Sequence, residues 1–368
     1  MDIDQKIENL ISLDQYSLNS EDKEKMLLPI FIEQLKSHVK NNELKNFYKN
    51  LGPIDQINTL KDISPIPVSL FKKYELRLVP KNEIIRTLTS SGTTTQIRSK
   101  IFLDKHTSFR QSKALTSIMK NYLGVKRKPL LILDTESTND SKSSSMGARG
   151  AAIRGVSQFG KELTYIFEGE SLEIDYEKLN NFIKKYSKED IEVLIFGFTY
   201  IVWEKFYQEL SKKNKKIKLN AILVHSGGWK RLESQKVSKD IFDQGLGDVL
   251  SISPEKVLDM YGLVEQVGIV FLDCEKGYKH VPNFAEVIIR NPLTMAEVNK
   301  GETGLIEIMS VLPRSYPGQA LITEDVGLFV GSDDCKCGRK GKYFKFVSRV
   351  NKSEARGCGD TFEEIKND

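Results

Sequence analysis

Val193-Leu194-Ile195-Phe196 is an apolar run with no polar break, and the same texture returns at Leu130-Leu131-Ile132-Leu133 and at Ala221-Ile222-Leu223-Val224. Such runs read as strands buried on both faces, because a strand with one wet face alternates polar and apolar residues. Between the first two along the chain, Leu179, Phe182 and Ile183 recur at helical spacing. Strands alternating with amphipathic helices over roughly residues 85–260 predict an α/β fold with a largely parallel, helix-flanked sheet.

Outward from this stretch the texture changes on both sides. The first eighty residues read as helical, with Met26, Leu27, Ile30, Phe31 and Leu35 on one helical face and Ser20 as an N-cap. Pro65 and Pro67 break that pattern, and Ile66-Pro67-Val68 enters an extended segment. On the far side, 268–272, 286–289, 304–309 and 327–330 read as strands and turns, a strand-rich subdomain. The expected organisation is a helical extension over 1–80, a core domain over 81–348 and a short tail over 349–368. Residues 137–150, rich in Ser and Gly, follow a strand and read as a mobile surface loop, with a lid over a site as the alternative.

Composition narrows the function classes. The 368 residues carry 55 basic and 50 acidic side chains, mixed along the chain, so the net charge of +5 marks no nucleic-acid partner. A hydrophobic share of 39% supports a sizeable core and argues against disorder. No apolar stretch approaches the roughly 20 residues of a membrane span. The start, Met-Asp-Ile-Asp-Gln, has neither the basic nor the apolar region of a secretory signal. Four cysteines make no disulfide scaffold, so a cytoplasmic location is expected.

Four motifs stand out. Thr87-Leu88-Thr89-Ser90-Ser91-Gly92-Thr93-Thr94-Thr95, followed by Lys100, is either a cradle of hydroxyls and backbone N–H groups for phosphate oxygens or a solvated Ser/Thr turn. It is not a Walker A loop, since Gly-Lys-Ser/Thr is absent. Ser226-Gly227-Gly228 either lets a ligand approach the backbone or makes a tight turn. Ser226 does not sit in the Gly-x-Ser-x-Gly setting of a hydrolase nucleophile. Asp259-Met260-Tyr261-Gly262-Leu263-Val264-Glu265 offers an aromatic face beside a base and a carboxylate for a metal ion, or else a strand, a turn and a surface Glu. Ile322-Thr323-Glu324-Asp325-Val326-Gly327 places Asp325 to accept from ribose hydroxyls, or is a hairpin turn.

In this order the motifs resemble those of the adenylate-forming superfamily, and the resemblance runs from about residue 60 to the end. Within it the chain is similar to the acyl-protein synthetases, the long-chain-fatty-acid–luciferin-component ligases. The likeness is carried by Ile66-Pro67-Val68-Ser69-Leu70-Phe71-Lys72, by 90–95, 225–230 and 261–266, and by Arg356-Gly357-Cys358. Phenylacetate–CoA ligases look more distant. The resemblance implies the large N-terminal domain of that superfamily, with residues 90–95 on the ATP phosphates. It implies that Ser226, Gly227, Gly228, Tyr261 and Gly262 line the adenine pocket. Glu265 would bind Mg²⁺, Asp325 the ribose, and Arg349 the ribose or phosphate. Thr95 and Ser348 stand where glycine is common in the superfamily. The usual C-terminal domain, with its catalytic lysine, is expected to be truncated, as in the acyl-protein synthetases.

The cysteines give a separate reading. Cys274 and His280 flank Gly277-Tyr278, and Cys335-Lys336-Cys337-Gly338 follows. Three cysteines and a histidine form a closed tetrahedral zinc set, structural rather than catalytic; the alternative is three reduced cysteines and a surface histidine. Cys358 lies between Gly357 and Gly359, which leave its thiol open to a large electrophile. Arg356 would lower its ordinary pKa of about 8.5, whereas Glu354 and Asp360 push the other way. It is either an incidental thiol on a frayed tail or a nucleophile, and the resemblance favours the nucleophile.

The activity expected from the resemblance has two steps. A carboxylate, in that family a fatty acid, attacks the α-phosphorus of ATP, with Lys100 and Mg²⁺ neutralising charge. The Cys358 thiolate then attacks the acyl carbonyl, and the thioester passes to an acyl reductase or another acceptor protein. The rival readings are a CoA ligase and a non-catalytic nucleotide-binding subunit. Phe196, Phe198, Tyr200 and Trp203 either line an acyl pocket or belong to the core.

Overall fold

The structure, a computed structural model, describes residues 2–40, 53–90, 97–139, 148–187 and 191–349. Its strands are β1 (Ile66–Pro67), β2 (Ile84–Thr89), β3 (Lys100–Asp104), β4 (Lys128–Leu133), β5 (Gly160–Tyr165), β6 (Phe167–Glu168), β7 (Glu173–Ile174), β8 (Val193–Phe198), β9 (Ala221–Ser226), β10 (Val257–Tyr261), β11 (Phe271–Leu272), β12 (Lys279–His280), β13 (Ala285–Arg290), β14 (Thr303–Ser310), β15 (Ala320–Ser332) and β16 (Lys342–Arg349). The chain divides into two compact units. One comprises Met1–Asn121, Gly262–Phe271 and Tyr278–Asp368; the other comprises Tyr122–Tyr261 and Leu272–Gly277.

The second unit carries the parallel sheet that the apolar runs predict. Its order is β11-β10-β9-β8-β4-β5, and the pairs from β10 to β5 are parallel. All six positions of β8 are buried, as expected for a strand covered on both faces. Gly197 is required by a close approach, since a Cβ there would lie 2.7 Å from Val202 Cγ2 and 2.9 Å from Leu133 Cβ. Helix Tyr176–Tyr186 is capped by Asp175, which accepts from the Lys178 N–H, and buries Leu179, Phe182 and Tyr186. Because β5 and β8 flank β4, consecutive connections run to opposite sides of that strand, and β4 marks the topological switch point. After β8 the chain forms helix Thr199–Ile201, a π-helical segment Val202–Tyr207 and helix Gln208–Lys212. Phe196, Phe198 and Trp203 are buried, and Trp203 stacks on Tyr207 and Phe242. These three belong to the core; Tyr200 is half-buried. The 137–150 segment is not all loop: Glu136–Asn139 is a 3-10 turn, and helix Ala148–Ser157 begins before the segment ends.

The first unit is built on the strand-rich region. Strands β12-β16-β15-β14-β13 are antiparallel neighbours, and β1 adds to β15 in parallel through Ile66↔Leu321 and Pro67↔Ile322. The fourth motif is no hairpin turn, because 322–327 lies within β15, a strand of 13 residues. Helices Ile3–Ser12 and Ser20–His38 open the chain. The second is capped one residue earlier than its sequence suggests, by Asn19, whose side chain accepts from the Asp22 N–H. Helix does not extend through the first eighty residues, since beyond Pro53 the chain makes two short 3-10 turns, β1 and helix Leu70–Lys73. The buried pair Lys23–Glu286 (3.2 Å) and the Gln34 amide, donating to Val311 O at 2.9 Å, tie the second helix to this unit.

Candidate functional site

In the first unit the stem of the hydroxyl-rich loop is a two-stranded hairpin. Thr89 of β2 pairs with Lys100 of β3, the Ser90 N–H donates to Ser99 O at 3.2 Å, and the Ser99 N–H donates to Ser90 Oγ at 2.9 Å. Ser91, Gly92, Thr93, Thr94 and Thr95 lie outside the described residues, as does Cys358. Lys100 is half-exposed, and its Nζ lies 3.2 Å from Glu75.

Glu265 is not a surface residue. It occupies a 3-10 turn, Val264–Gln266, and is buried with its neighbour Gln266. The Tyr316 hydroxyl donates to Glu265 O at 2.9 Å, and the Gln266 amide donates to Ile308 O at 3.3 Å, so the turn is held at both residues. Burial pushes the Glu265 carboxyl above its ordinary range. The Ser99 hydroxyl and the Lys72 charge oppose that rise, and Glu324 adds to it. Lys72 in turn lies 3.2 Å from Glu324, the neighbour of Asp325. Glu265 therefore shares its electrostatic surroundings with the loop stem, with helix Leu70–Lys73 and with β15. The sequence reading does not single out Lys72, although it lies in a segment that carries the resemblance. Gly262 answers a packing need, since a Cβ there would stand 3.2 Å from Ile269 O.

Asp325 and Arg349, read separately from the sequence, are directly opposed across β15 and β16. Arg349 Nε donates to Asp325 Oδ1 at 3.2 Å, with the aspartate buried and the arginine largely exposed. The Asp325 N–H donates to Thr323 Oγ1 at 3.1 Å, which fixes the backbone at this point.

In the second unit Ser226 closes β9. Its hydroxyl donates to Met260 O at 2.9 Å, so it braces neighbouring β10 instead of standing as a free nucleophile. Gly227 takes φ +81°, a left-handed conformation that favours glycine. Around Gly228 a Cβ would meet nothing within 4 Å among the described residues. Thr199 Oγ1 donates to Gly227 O at 2.6 Å, which uses its single proton. The contact of 2.9 Å between that hydroxyl and His225 Nδ1 then has the imidazole as donor, with Asp259 Oδ1 at 3.8 Å from the same nitrogen. Tyr261, half-buried, ends β10. His225 and Thr199 thus hold the glycine turn, a support from residues 26 positions apart in the chain.

Of the predicted zinc ligands, Cys274 belongs to the second unit, and His280, Cys335 and Cys337 belong to the first. Within the first unit Cys337 Sγ is 3.2 Å from His280 Nε2. Thiolates and an imidazole are donors that suit a zinc ion by their chemistry. Two turns aim the thiols. The Gly277 N–H donates to Cys274 O at 2.8 Å and the Gly338 N–H to Cys335 O at 3.0 Å. Both glycines have positive φ, +71° and +88°. The Lys276 N–H points at Cys274 Sγ from 3.4 Å, a donor that favours a thiolate. His280, buried, stacks on Tyr343 with ring centroids 5.2 Å apart.

A family model described as acyl-protein synthetase, LuxE, matches residues 2–366. The chain belongs to the acyl-protein synthetase family. It is similar to a long-chain-fatty-acid–luciferin-component ligase of Vibrio harveyi, 24% identical over 326 residues that cover 86% of this chain and 82% of that protein. A protein of the same description from Aliivibrio fischeri is 24% identical over 324 residues, covering 87% and 82%. Among solved structures, an open conformation of 2-hydroxyisobutyryl-CoA ligase in complex with 2-HIB-AMP and CoA superposes with a TM-score of 0.66 at 13% identity. It covers 91% of this chain and 77% of that one. The acyl-protein synthetase thus has the adenylate-forming fold and is a ligase. Among its described residues no helix is long and apolar enough to cross a membrane.

Proposed function

We propose that this acyl-protein synthetase converts a fatty carboxylate to its acyl-adenylate and then carries the acyl group as a thioester on Cys358, for delivery to a partner such as an acyl reductase. The observation that carries the reading is the setting of Glu265: a buried carboxylate beside the stem of the hydroxyl loop, in a chain of this family. Residues 90–95 would hold the ATP phosphates, with Lys100 as a charge at the loop's foot. Glu265 would hold Mg²⁺, which ordinarily takes one or two carboxylates together with phosphate oxygens. Asp325 would accept from the ribose hydroxyls, with Arg349 beside it. Ser226, Gly227, Gly228, Tyr261 and Gly262 keep the adenine role that the resemblance implies. Cys274, His280, Cys335 and Cys337 would hold a structural zinc ion, and their thiols suit a reducing, cytoplasmic setting.

In the first step a carboxylate oxygen bonds to the α-phosphorus and pyrophosphate leaves. In the second the thiolate sulfur bonds to the acyl carbon and AMP leaves, so a difficult acyl transfer becomes two easier ones. The test is Cys358→Ser. Incubation of the parent protein with ATP, Mg²⁺ and a long-chain fatty acid should leave a label that hydroxylamine releases. The variant should keep fatty-acid-dependent ATP–pyrophosphate exchange but lose the label. Full acyl transfer to a protein or to CoA by Cys358→Ser would overturn the thioester reading.

A further inference from the structure

The second unit holds a charged device at its switch point that the roles above leave unused. Asp134, directly after β4, is 1% exposed, yet it is fully engaged. It accepts from the Thr135 N–H at 2.7 Å, from the Thr138 hydroxyl at 2.8 Å and from Arg149 Nε at 3.0 Å, and Arg149 Nη2 makes a second, shorter contact. The guanidinium is thus gripped along one edge by a buried carboxylate, the fork geometry that fixes an arginine in the plane. Tyr200, which follows β8 on the other side of the switch point, interacts with the same guanidinium.

Arg149 itself remains 30% exposed and borders an open cleft of about 430 Å³ with Thr135, Ser137, Thr138, Glu170 and Leu172. Asp134 is not among the groups that line it. The arrangement is a cation set at a cleft wall, its orientation fixed from behind, with three hydroxyl-bearing residues around it. Ligands of open parallel sheets bind beyond the carboxyl ends of strands at such a point.

We infer that this cleft receives an oxyanion of the reaction, the carboxylate end of the acyl substrate, with Arg149 as its binding residue and Asp134 as the residue that orients Arg149. The inference rests on the acyl-activating reading and names the residue that would read the substrate's charged end. A phosphate group of ATP has the same recognition chemistry, so the test has two arms. Equilibrium binding of octanoate and, separately, of ATP is measured on the parent protein and on Arg149→Lys. Lysine keeps the charge that Asp134 needs but loses the bidentate fork. A second variant, Asp134→Asn with Arg149→Gln, removes both charges together, so no buried carboxylate is stranded.

Loss of a charge-assisted hydrogen bond should weaken octanoate binding roughly 10-fold to 100-fold in both variants while ATP affinity stays unchanged. The reverse pattern keeps the oxyanion site and assigns it to the nucleotide. Unchanged affinity for both ligands in folded variants, or a parent protein that binds neither, overturns the inference. Fatty-acid-dependent ATP–pyrophosphate exchange by the parent protein is scored independently. Its absence would sink acyl activation, whereas its presence beside unaffected variants sinks only the cleft.

Discussion

Glu265 shows how burial of a single carboxyl ties stability to pH. Its carboxyl is pushed up by burial, so the folded protein holds the proton over a pH range in which the unfolded chain has already lost it. Stability from this group is therefore present at low pH and falls as pH rises through its ordinary value and beyond. Glu265→Gln removes that slope and should leave the melting temperature unchanged or higher. The same change should lower ATP–pyrophosphate exchange by roughly 10-fold or more, since a charged partner is lost. Exchange at the parent rate would remove Glu265 from the site. His38 gives the opposite slope. Burial lowers its imidazole from 6.5 to about 4, so between these values the unfolded chain binds the proton and the folded one does not. Stability should fall as pH drops from about 6.5 to about 4, by up to about 3 kcal/mol from this residue. Urea titrations across that window should show a shallower acid limb for His38→Gln, and an identical limb would refute the assignment.

At the scale of elements, what could be read in the sequence was whatever depends on near neighbours in the chain. The run in β8 is buried at every position because Val193, Leu194, Ile195 and Phe196 leave no wet face. The Cys-x-Cys turn declared itself because Cys335, Cys337 and Gly338 are adjacent. What stayed hidden depends on register. Asp325 meets Arg349 only because β15 and β16 pair across bulges at Val326/Gly327 and Phe329/Gly331, and no local pattern encodes that offset. Asp134 and Arg149 are fifteen positions apart, on either side of a segment that reads as loop. The signal that would have found them is an acidic residue directly after an apolar strand at the point where the strand order reverses. The paired turns at Gly277 and Gly338 make a further prediction. If they aim thiolates at one ion, purified protein should contain about one zinc per chain. Cys335→Ser should then lower zinc content and melting temperature together, because binding free energy of the metal is folding free energy. Zinc-free protein with the parent's melting temperature would exclude the structural ion.

At the scale of the molecule, the strands that complete the first unit are far apart in the chain. Lys23 pairs with Glu286, Gln34 with Val311, and β1 with β15. The second unit, by contrast, draws nearly all its residues from one continuous stretch, Tyr122–Tyr261. The parallel pairing of Pro67 with Ile322 has a consequence on the ribosome. At about 5–20 residues per second, some 255 residues of synthesis separate the two partners, or roughly 13–50 s. For that interval the apolar faces of the opening helices have no sheet to lie on, while the later-made parallel sheet can close first. The nascent chain therefore completes its middle before its beginning, and the exposed early helices are where a chaperone would be needed during translation.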